Sequence, residues 1–369
     1  MTIMRGILNL FQNKKVVVTG HTGFKGSWFT AWLKHLGSEV VGIALDPSTE
    51  PSHFSSAHLS DGITDLRIDI RDQAGLEKAV ISAQPDFVFH LAAQALVRRS
   101  YDEPIQTYQT NVLGTLHLLE ALRKLDKPCA AVIVTSDKCY DNLEWVWGYR
   151  ETDALGGPDP YSASKGAAEL VIRSHIKSYF PKATSRVRIA SARAGNVIGG
   201  GDWSADRIVP DCVKAWSRGD TVELRSPAAT RPWQHVLEPL SGYLNLATAL
   251  SQQPELHGEP FNFGPSSQQN HSVLELVQQM APHWDQVRWK DASKSMGGPH
   301  ESGLLKLNCD KALHHLRWRA VMGFENTVRM TAEWYRSYYQ NPMKIAETST
   351  AQIKAYMELA KKEGLAWAD

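Results

Sequence analysis

The stretch Lys15-Val-Val-Val-Thr-Gly20-His-Thr-Gly23-Phe-Lys-Gly26 decides the fold of this 369-residue chain. Its β-branched run reads as a strand buried on both faces, as in a parallel sheet. The run passes directly into three glycines spaced three apart, then into Ser27-Trp-Phe-Thr-Ala-Trp-Leu-Lys34, a helical pattern. Glycine permits a tight turn, close approach of backbone to a pyrophosphate, and close packing of helix on strand. The helix N-terminus then offers unpaired N–H groups to phosphate oxygens. A second strand pattern, Glu39-Val-Val-Gly-Ile-Ala44, follows at the interval of a βαβ unit, which makes the turn a dinucleotide site. Its cofactor residues are Gly20, Gly23, Phe24, Lys25 and Gly26. Asp46, just beyond the second strand, is the candidate to hold the adenosine ribose, and it points to NAD. Lys25 and His53 are the residues that would instead accommodate the 2′-phosphate of NADP.

Outward from this turn, strand and helix patterns alternate. Strands are predicted at 15–19, 40–44, 65–68, 87–91, 131–135 and 188–192, with helices at 76–83, 111–125 and 164–178. The alternation implies an α/β fold, a doubly wound parallel sheet of Rossmann type with right-handed crossovers. Sites in such sheets lie at the carboxyl ends of the strands, where Gly20, Asp69, Leu91 and Ser136 fall. Beyond about Gly195 the rhythm gives way to Gly-, Pro- and Trp-rich connections, which predict a smaller, mixed α/β substrate domain. The expected division is 14–195 for the dinucleotide domain and 196–345 for the substrate domain, with chain interleaving between them. A helical tail at 346–369 would pack on a neighbour.

Two motifs carry the chemistry. Tyr161-Ser-Ala-Ser-Lys165 on a helix puts both side chains on one face, because residues four apart are neighbours there. A tyrosine is a poor base at its usual pKa of about 10. An ammonium beside it favours the phenolate, and a nearby hydroxyl such as Ser136 can bridge the phenol to an alcohol. That set oxidises an alcohol with a nicotinamide cofactor. Asp137-Lys138, directly after Thr135-Ser136, adds an acid and a second amine that simple dehydrogenation does not need.

Composition narrows the classes further. Forty basic against thirty-nine acidic residues leave a net charge of +1, so no nucleic-acid or membrane surface is indicated. Cys129, Cys139, Cys212 and Cys309 show no metal-ligand or disulfide spacing, and they read as reduced thiols of a cytoplasmic protein. The apolar residues 7–11 are too few for a signal peptide.

Together these features resemble the extended short-chain dehydrogenase/reductase family, and within it the nucleotide-sugar 4,6-dehydratases. The resemblance rests on the Gly-x-x-Gly-x-x-Gly turn, Phe89-His-Leu-Ala-Ala93, Thr110-Asn-Val-Leu-Gly-Thr115 and Pro160-Tyr-Ser-Ala-Ser-Lys165, and it covers about residues 14–339. His21-Thr-Gly-Phe-Lys-Gly-Ser-Trp28 and Ser136-Asp-Lys138 look most like the branch acting on CDP-glucose. In dehydratases acting on dTDP-glucose the pair after the hydroxyl residue reads Asp-Glu, so Lys138 is a departure at the position of the C5 base.

The resemblance implies an internal redox dehydration. Tyr161, helped by Lys165 and Ser136, would take the 4-hydroxyl proton while hydride passes to NAD. Asp137 would protonate the departing C6 hydroxyl, Lys138 would act at C5, and hydride would return to C6. It implies that Asp69 and Ile70 border the adenine, that Leu91, Ala92, Ala93 and Thr135 pass close to the cofactor, and that the Asn111 amide steadies a strand bulge. On the substrate side it implies Gln94 facing the sugar. Asn196, Arg207, Arg225 and Arg231 would lie along the nucleotide diphosphate, with Glu301 on the ribose. The expected product feeds deoxysugar synthesis for lipopolysaccharide O-antigen, and the enzyme is expected to be a homo-oligomer. A nucleotide-sugar 4-epimerase would share Tyr161 and Lys165 but would not require Asp137-Lys138. A catalytically silent dinucleotide-binding protein would not need the intact Ser-Tyr-Lys set.

Overall fold

The computed structural model describes residues 10–293 and 303–368. The first half alternates as β1 (Lys15–Thr19), α1 (Phe24–His35), β2 (Glu39–Ala44), β3 (Thr64–Arg67), α2 (Gln73–Ala83), β4 (Phe87–His90), α3 (Gly114–Arg123), β5 (Cys129–Val134), α4 (Pro160–Tyr179) and β6 (Val187–Arg193). Short ladders and helices follow: β7 (Val197–Ile198), α5 (Ile208–Trp216), β8 (Val222–Leu224), β9 (Thr230–Arg231), β10 (Gln234–His235), α6 (Leu237–Gln252) and β11 (Pro260–Asn262). The chain closes with β12 (His271–Ser272), α7 (Val273–Met280), β13 (Trp289–Asp291), α8 (Asp310–Leu316), α9 (Phe324–Gln340) and α10 (Ile345–Lys362).

Seven strands form one sheet in the order β11-β6-β5-β4-β1-β2-β3, and every pairing in it is parallel. This is the doubly wound Rossmann arrangement. Alternate side chains serve opposite faces, as the pleat requires. Val16, Val18, Phe87, Phe89 and Val132 join the core beneath α1, α6 and the C-terminal helices. Val17, Val88, Ala131 and Ile133 join the opposite core with Leu76 and Val80 of α2, Leu118 and Leu122 of α3, and Ile172 of α4. Each such side chain, buried completely, stabilises the fold by about 1.5–3 kcal/mol relative to exposure.

Three features depart from the sequence reading. The seventh strand, β11, is a three-residue Pro-Phe-Asn segment from the second half, too short to show periodicity. The helix expected at 111–125 begins as a π-helical turn, Gln109–Leu113, before α3. The wide turn carries a buried Asn111, whose amide Nδ2 donates to Gln94 O at 3.0 Å and whose Oδ1 accepts from Gln94 N at 2.9 Å. Finally, the inner face of the C-terminal helix packs within this chain. Tyr356 of α10 and Trp367 pack edge-on to Trp32 of α1, with ring centroids 5.6 and 6.4 Å away.

A buried carboxylate fastens this C-terminal part. Glu238 in the first turn of α6 accepts from the backbone N–H groups of Val321 at 2.9 Å and Met322 at 2.6 Å, and from the Tyr356 hydroxyl at 2.8 Å. Burial pushes its pKa up to about 7 despite these donors. The folded state therefore favours the protonated form more than the unfolded chain, whose glutamate titrates near ~4.3. Its stabilising contribution is full below that value and is lost as pH rises through about 7. Glu238→Gln should flatten the fall in stability across this window, seen as urea midpoints that change less with pH than those of the wild type. Glu238→Ala leaves three donors without an acceptor and should cost at least about 2 kcal/mol; an unchanged midpoint would contradict this account.

Candidate active site

The glycine turn is shaped by contacts that exclude side chains. Gly20 adopts φ +76°, and a Cβ there would come within 2.6–2.8 Å of the backbone of Leu91 and Ala92. A Cβ on Gly26 would overlap the carbonyl of Gly20. Thr22 donates to Leu45 O at 2.9 Å, and His21 is tied to Asp65 at 2.8 Å, so the turn is pinned to the ends of β2 and β3. Gly23 caps α1 without a side-chain hydrogen bond, which leaves the first N–H groups of the helix for a ligand. Leu91 and Ala92 cross the top of this cradle, tied by their N–H groups to Thr19 O at 3.0 Å and Thr19 Oγ1 at 3.3 Å; Ala93 follows them. A close-backbone cradle before a helix N-terminus fits the pyrophosphate of a dinucleotide.

At the adenosine end, the Asp46 side chain is largely exposed, with Arg67 3.6 Å away. Asp69 accepts three hydrogen bonds from Arg71, and Ile70 is buried behind it. Of the two residues named for a 2′-phosphate, His53 does not lie free there. His53 is 1% exposed, stacked on Trp28 at 4.6 Å and hydrogen-bonded to Ser27 and Ser349, and burial pushes its pKa down to about 3. Lys25 is half-buried, and the charges that act on it are those of Asp137, Arg207 and Lys165. Burial pushes its pKa down to about 8, opposed by Asp137.

The end of β5 supplies the reacting cluster. Ser136 caps a single 3₁₀ turn, Asp137–Cys139, and its Oγ accepts from Lys138 N at 3.2 Å. Asp137 is buried; its Oδ1 accepts from Ser136 Oγ at 3.0 Å and its Oδ2 from Asn196 Nδ2 at 3.2 Å. Its carboxylate lies directly on Gly195, where a Cβ would overlap it. The Lys138 side chain is half-buried, and its ammonium makes no hydrogen bond or ion pair among the described residues.

Across from this turn, α4 starts with Asp159 as N-cap and proline at the first helical position, a pre-organised start. Tyr161 is thus held in the first turn, with its backbone N–H on Ser100 Oγ at 3.1 Å. Lys165, one turn on, is buried with its ammonium 5.9 Å from the Tyr161 ring. Ser136 lies beside the Tyr161 phenol and acts to lower its pKa. Burial nevertheless pushes that phenol up to about 12, so the lowered phenol expected from the lysine is not realised in the free chain. Burial likewise brings Lys165 down to about 8.

Several residues named from sequence already have partners within the chain. The Gln94 amide donates to Leu96 O and Thr107 Oγ1, both at 3.0 Å, and its oxygen accepts from Leu96 N. It therefore shapes its own loop. The Thr135 hydroxyl, expected beside the cofactor, donates to Glu169 at 2.5 Å. Arg207 pairs with Asp202 at 2.6 Å, and its charge reaches Tyr161. Arg225 pairs with Asp206 at 2.8 Å. Arg231 donates to the carbonyl of Thr230 at 2.8 Å. Glu301 lies outside the described residues.

Other participants were missed. Glu169, four residues past Lys165 and on its face of α4, binds Arg193 with two hydrogen bonds of 2.9 and 2.8 Å and also accepts from Ser191 at 2.9 Å. The Tyr-x-x-x-Lys spacing extended by one more turn would have found it. Gln234, Gln269 and Lys306 line a narrow cleft with Asp137. They come from distant segments, and no local spacing signals them.

The pattern of the GDP-mannose 4,6 dehydratase family matches residues 17–331. The chain is 45% identical over 355 residues to the CDP-glucose 4,6-dehydratase of Salmonella typhimurium, covering 95% of this chain and 98% of that protein. It is 26% identical to the dTDP-glucose 4,6-dehydratase of Xanthomonas campestris, over 86% of this chain and 92% of the other. Among solved structures, the UDP-glucose 4-epimerase of Thermotoga maritima with UDP-glucose superimposes with a TM-score of 0.74 at 22% identity, covering 87% of this chain and 98% of that one. The UDP-glucuronic acid 4-epimerase of Bacillus cereus, in complex with UDP-glucuronic acid and NAD, gives 0.72 at 21% identity over 88% and 99%.

The contact between Gly195 and Asp137 has a measurable consequence. Gly195→Ala forces a methyl into a packed carboxylate and should cost about 1–3 kcal/mol, the usual range for overpacking. Chemical unfolding reads the loss directly; a variant as stable as the wild type would mean that Asp137 sits elsewhere.

Proposed function

The chain belongs to the GDP-mannose 4,6 dehydratase family of extended short-chain dehydrogenases/reductases, and on that footing we propose that it converts CDP-glucose to CDP-4-keto-6-deoxyglucose with loss of water. The observation that carries the reading is a buried Asp137 set beside the Ser136, Tyr161 and Lys165 cluster of an alcohol-oxidising enzyme. A 4-epimerase needs the cluster but no acid for a departing hydroxyl. The 45% identity to a CDP-glucose 4,6-dehydratase along nearly the whole chain favours cytidine. The reaction is that of a hydro-lyase.

The cradle of Gly20, Gly23, Phe24 and Gly26, with Leu91, Ala92 and Ala93 above it, would hold NAD. Asp46 would take the ribose and Asp69 with Ile70 the adenine side. When bound, the cofactor supplies an acceptor for hydride from C4 and its return to C6. The chain's own residues move the protons. Tyr161 receives the proton of the 4-hydroxyl, relayed through Ser136, while the Lys165 ammonium offsets the phenolate charge. The ketone so formed acidifies C5, from which Lys138 takes the proton. Asp137 gives a proton to the C6 oxygen, which leaves as water. Asn196, Arg207, Arg225 and Arg231 would line the nucleotide diphosphate; planar guanidinium groups suit phosphate oxygens.

Four unpaired cysteines fit a cytoplasmic enzyme. Ile105, Tyr108, Leu113 and Leu170, apolar and exposed on adjoining helices, fit a homo-oligomer. Among the described residues no helix is long and apolar enough to cross a membrane.

Incubation with CDP-, dTDP- and UDP-glucose and GDP-mannose should give a product lighter by one water from CDP-glucose, with no build-up of reduced cofactor. A C4 epimer, or reduced cofactor released in step with substrate, would sink the assignment. Tyr161→Phe should lower turnover at least ~10²-fold, the usual scale of general acid–base catalysis, while dinucleotide affinity measured by calorimetry is kept. The wild-type rate of C4 oxidation should also fall as pH rises through about 8, because Lys165 is charged below that value and neutral above it. A rate still climbing there would assign the phenolate's counter-charge to another group.

A further inference from the structure

The loop that follows β6 is tied to β10 by one glutamine. Gln234 of β10 is 2% exposed. Its backbone N–H donates to Asn196 O at 3.2 Å. Its side-chain Nε2 donates to Gly195 O at 2.9 Å and to Phe263 O at 3.2 Å. Both partners of Nε2 are carbonyls, which can only accept, so the nitrogen and oxygen of this amide cannot be exchanged. The remaining atom, Oε1, is buried and has no hydrogen-bond partner among the described residues. A buried acceptor left unpaired is destabilising, and a folded protein carries one for a reason.

Gln234 lines the narrow cleft that holds Asp137, together with Gly195, Gln269 and Lys306. Gly195 joins the two: the Asp137 carboxylate fills the space of its absent Cβ, and its carbonyl fixes the Gln234 amide. Gln269 repeats the pattern. Its Nε2 donates to Met322 O at 3.2 Å, and its Oε1 is buried without a partner among the described residues. Lys306, the cation in the lining, bonds neither oxygen. Two fixed acceptors beside a carboxylate suit a ligand that brings hydrogen-bond donors, as the hydroxyls of a sugar do. Of the lining residues only Ser266 and Ser267 are exposed, so a ligand enters from that side.

We propose that Gln234 selects for the 6-hydroxyl of the hexose: its Oε1 accepts the O6–H hydrogen bond beside Asp137 and so favours sugars that carry the leaving hydroxyl. The inference rests on the dehydratase reading above, in which Asp137 protonates the C6 oxygen. O6 is then the sugar atom brought to the cleft that Asp137 and Gln234 share. A hydroxyl gives one hydrogen bond and accepts others. With its own hydrogen on Gln234, O6 turns a lone pair to Asp137. In the elimination the C5–H electron pair becomes the C5–C6 double bond, and that proton goes to the base. The C6–O bond breaks with its pair on oxygen, the proton of Asp137 joins it, and water leaves with both hydrogens. Gln234 gives and takes no proton. Its part is to hold O6 and to tell one sugar from another.

Calorimetry on the NAD-bound Tyr161→Phe protein, which turns neither sugar over quickly, compares CDP-glucose with CDP-6-deoxyglucose. CDP-glucose should bind about 10-fold more tightly, the scale of one hydrogen bond to a buried group. Adding Gln234→Met, which has no amide, should remove about that factor from the preference, because groups in contact are not additive. Adding Gln234→Glu instead should keep the preference. Enclosed beside Asp137, that carboxyl group stays protonated, donates to Gly195 O and leaves its second oxygen for O6. A loosened Gly195 loop would weaken both sugars alike and leave the preference where it was. Three outcomes overturn the proposal: equal binding of the two sugars before Gln234 is changed, an undiminished preference with Met, or a preference lost as fully with Glu as with Met. The first needs no Gln234 variant and decides the matter even if the Met protein does not fold. A wild type that dehydrates none of the four nucleotide sugars refutes the dehydratase reading and this inference with it; a dehydrating wild type with any of the three outcomes refutes this inference alone.

Discussion

The parallel register of β5 on β6 is the constraint on which the site depends. Six residue pairs, from Cys129 with Val187 to Val134 with Ala192, hold the two strands side by side, and Thr135 N extends the ladder to Ala192 O at 2.8 Å. That register delivers Asp137 on one strand end to Gly195 and Asn196 on the other. Gly195 matters because its missing side chain is the space the carboxylate fills. A slip of one residue would reverse every side chain between the two cores and take Asp137 out of the cluster. The buried faces on both sides of the sheet forbid such a slip.

Electrostatics follow from that enclosure. Lys25, Lys165, Tyr161 and Asp137 are brought together where water is scarce, so charge is costly to hold and protonation states move. Both lysines are brought down to about 8, and the phenol is driven up to about 12. A site with amines near neutrality and a reluctant phenol is poised to pass protons once ligands add their own charges. Behind it, Glu169 and Arg193 form a fully hydrogen-bonded buried pair joined to Thr135, Ser191 and Tyr140. Removing either partner would strand a buried charge, so this pair keeps the strand ends rigid.

The C-terminal third is part of the same body. Ser27 of α1, His53 and Ser349 of α10 form one chain of hydrogen bonds, and Trp334 Nε1 also donates to Ser349. Gly200 and Gly201 let Trp334 and His53 lie against the loop that carries Asn196. The helix that receives the cofactor phosphates, the loop beside Asp137 and the last long helix are therefore braced against one another. The tryptophans that composition leaves without a role are the material of this brace.

The sequence by itself determined the doubly wound sheet, the glycine turn and the Tyr161–Lys165 face. Each is encoded in neighbouring residues whose spacing matches a strand, a turn or a helix, and local sterics suffice to read it. It also determined that an acid and an amine follow β5. Tertiary structure decided which groups meet. Only the β5–β6 register and the lean of α1 reveal that Gly195 makes room for Asp137 and that His53 is sealed under Trp28. Only the hydrogen-bond geometry shows Gln94 and Thr135 already engaged by Leu96, Thr107 and Glu169. The reason is physical: a side chain's direction and pKa depend on burial and on charges far away in the chain, and no local pattern carries either.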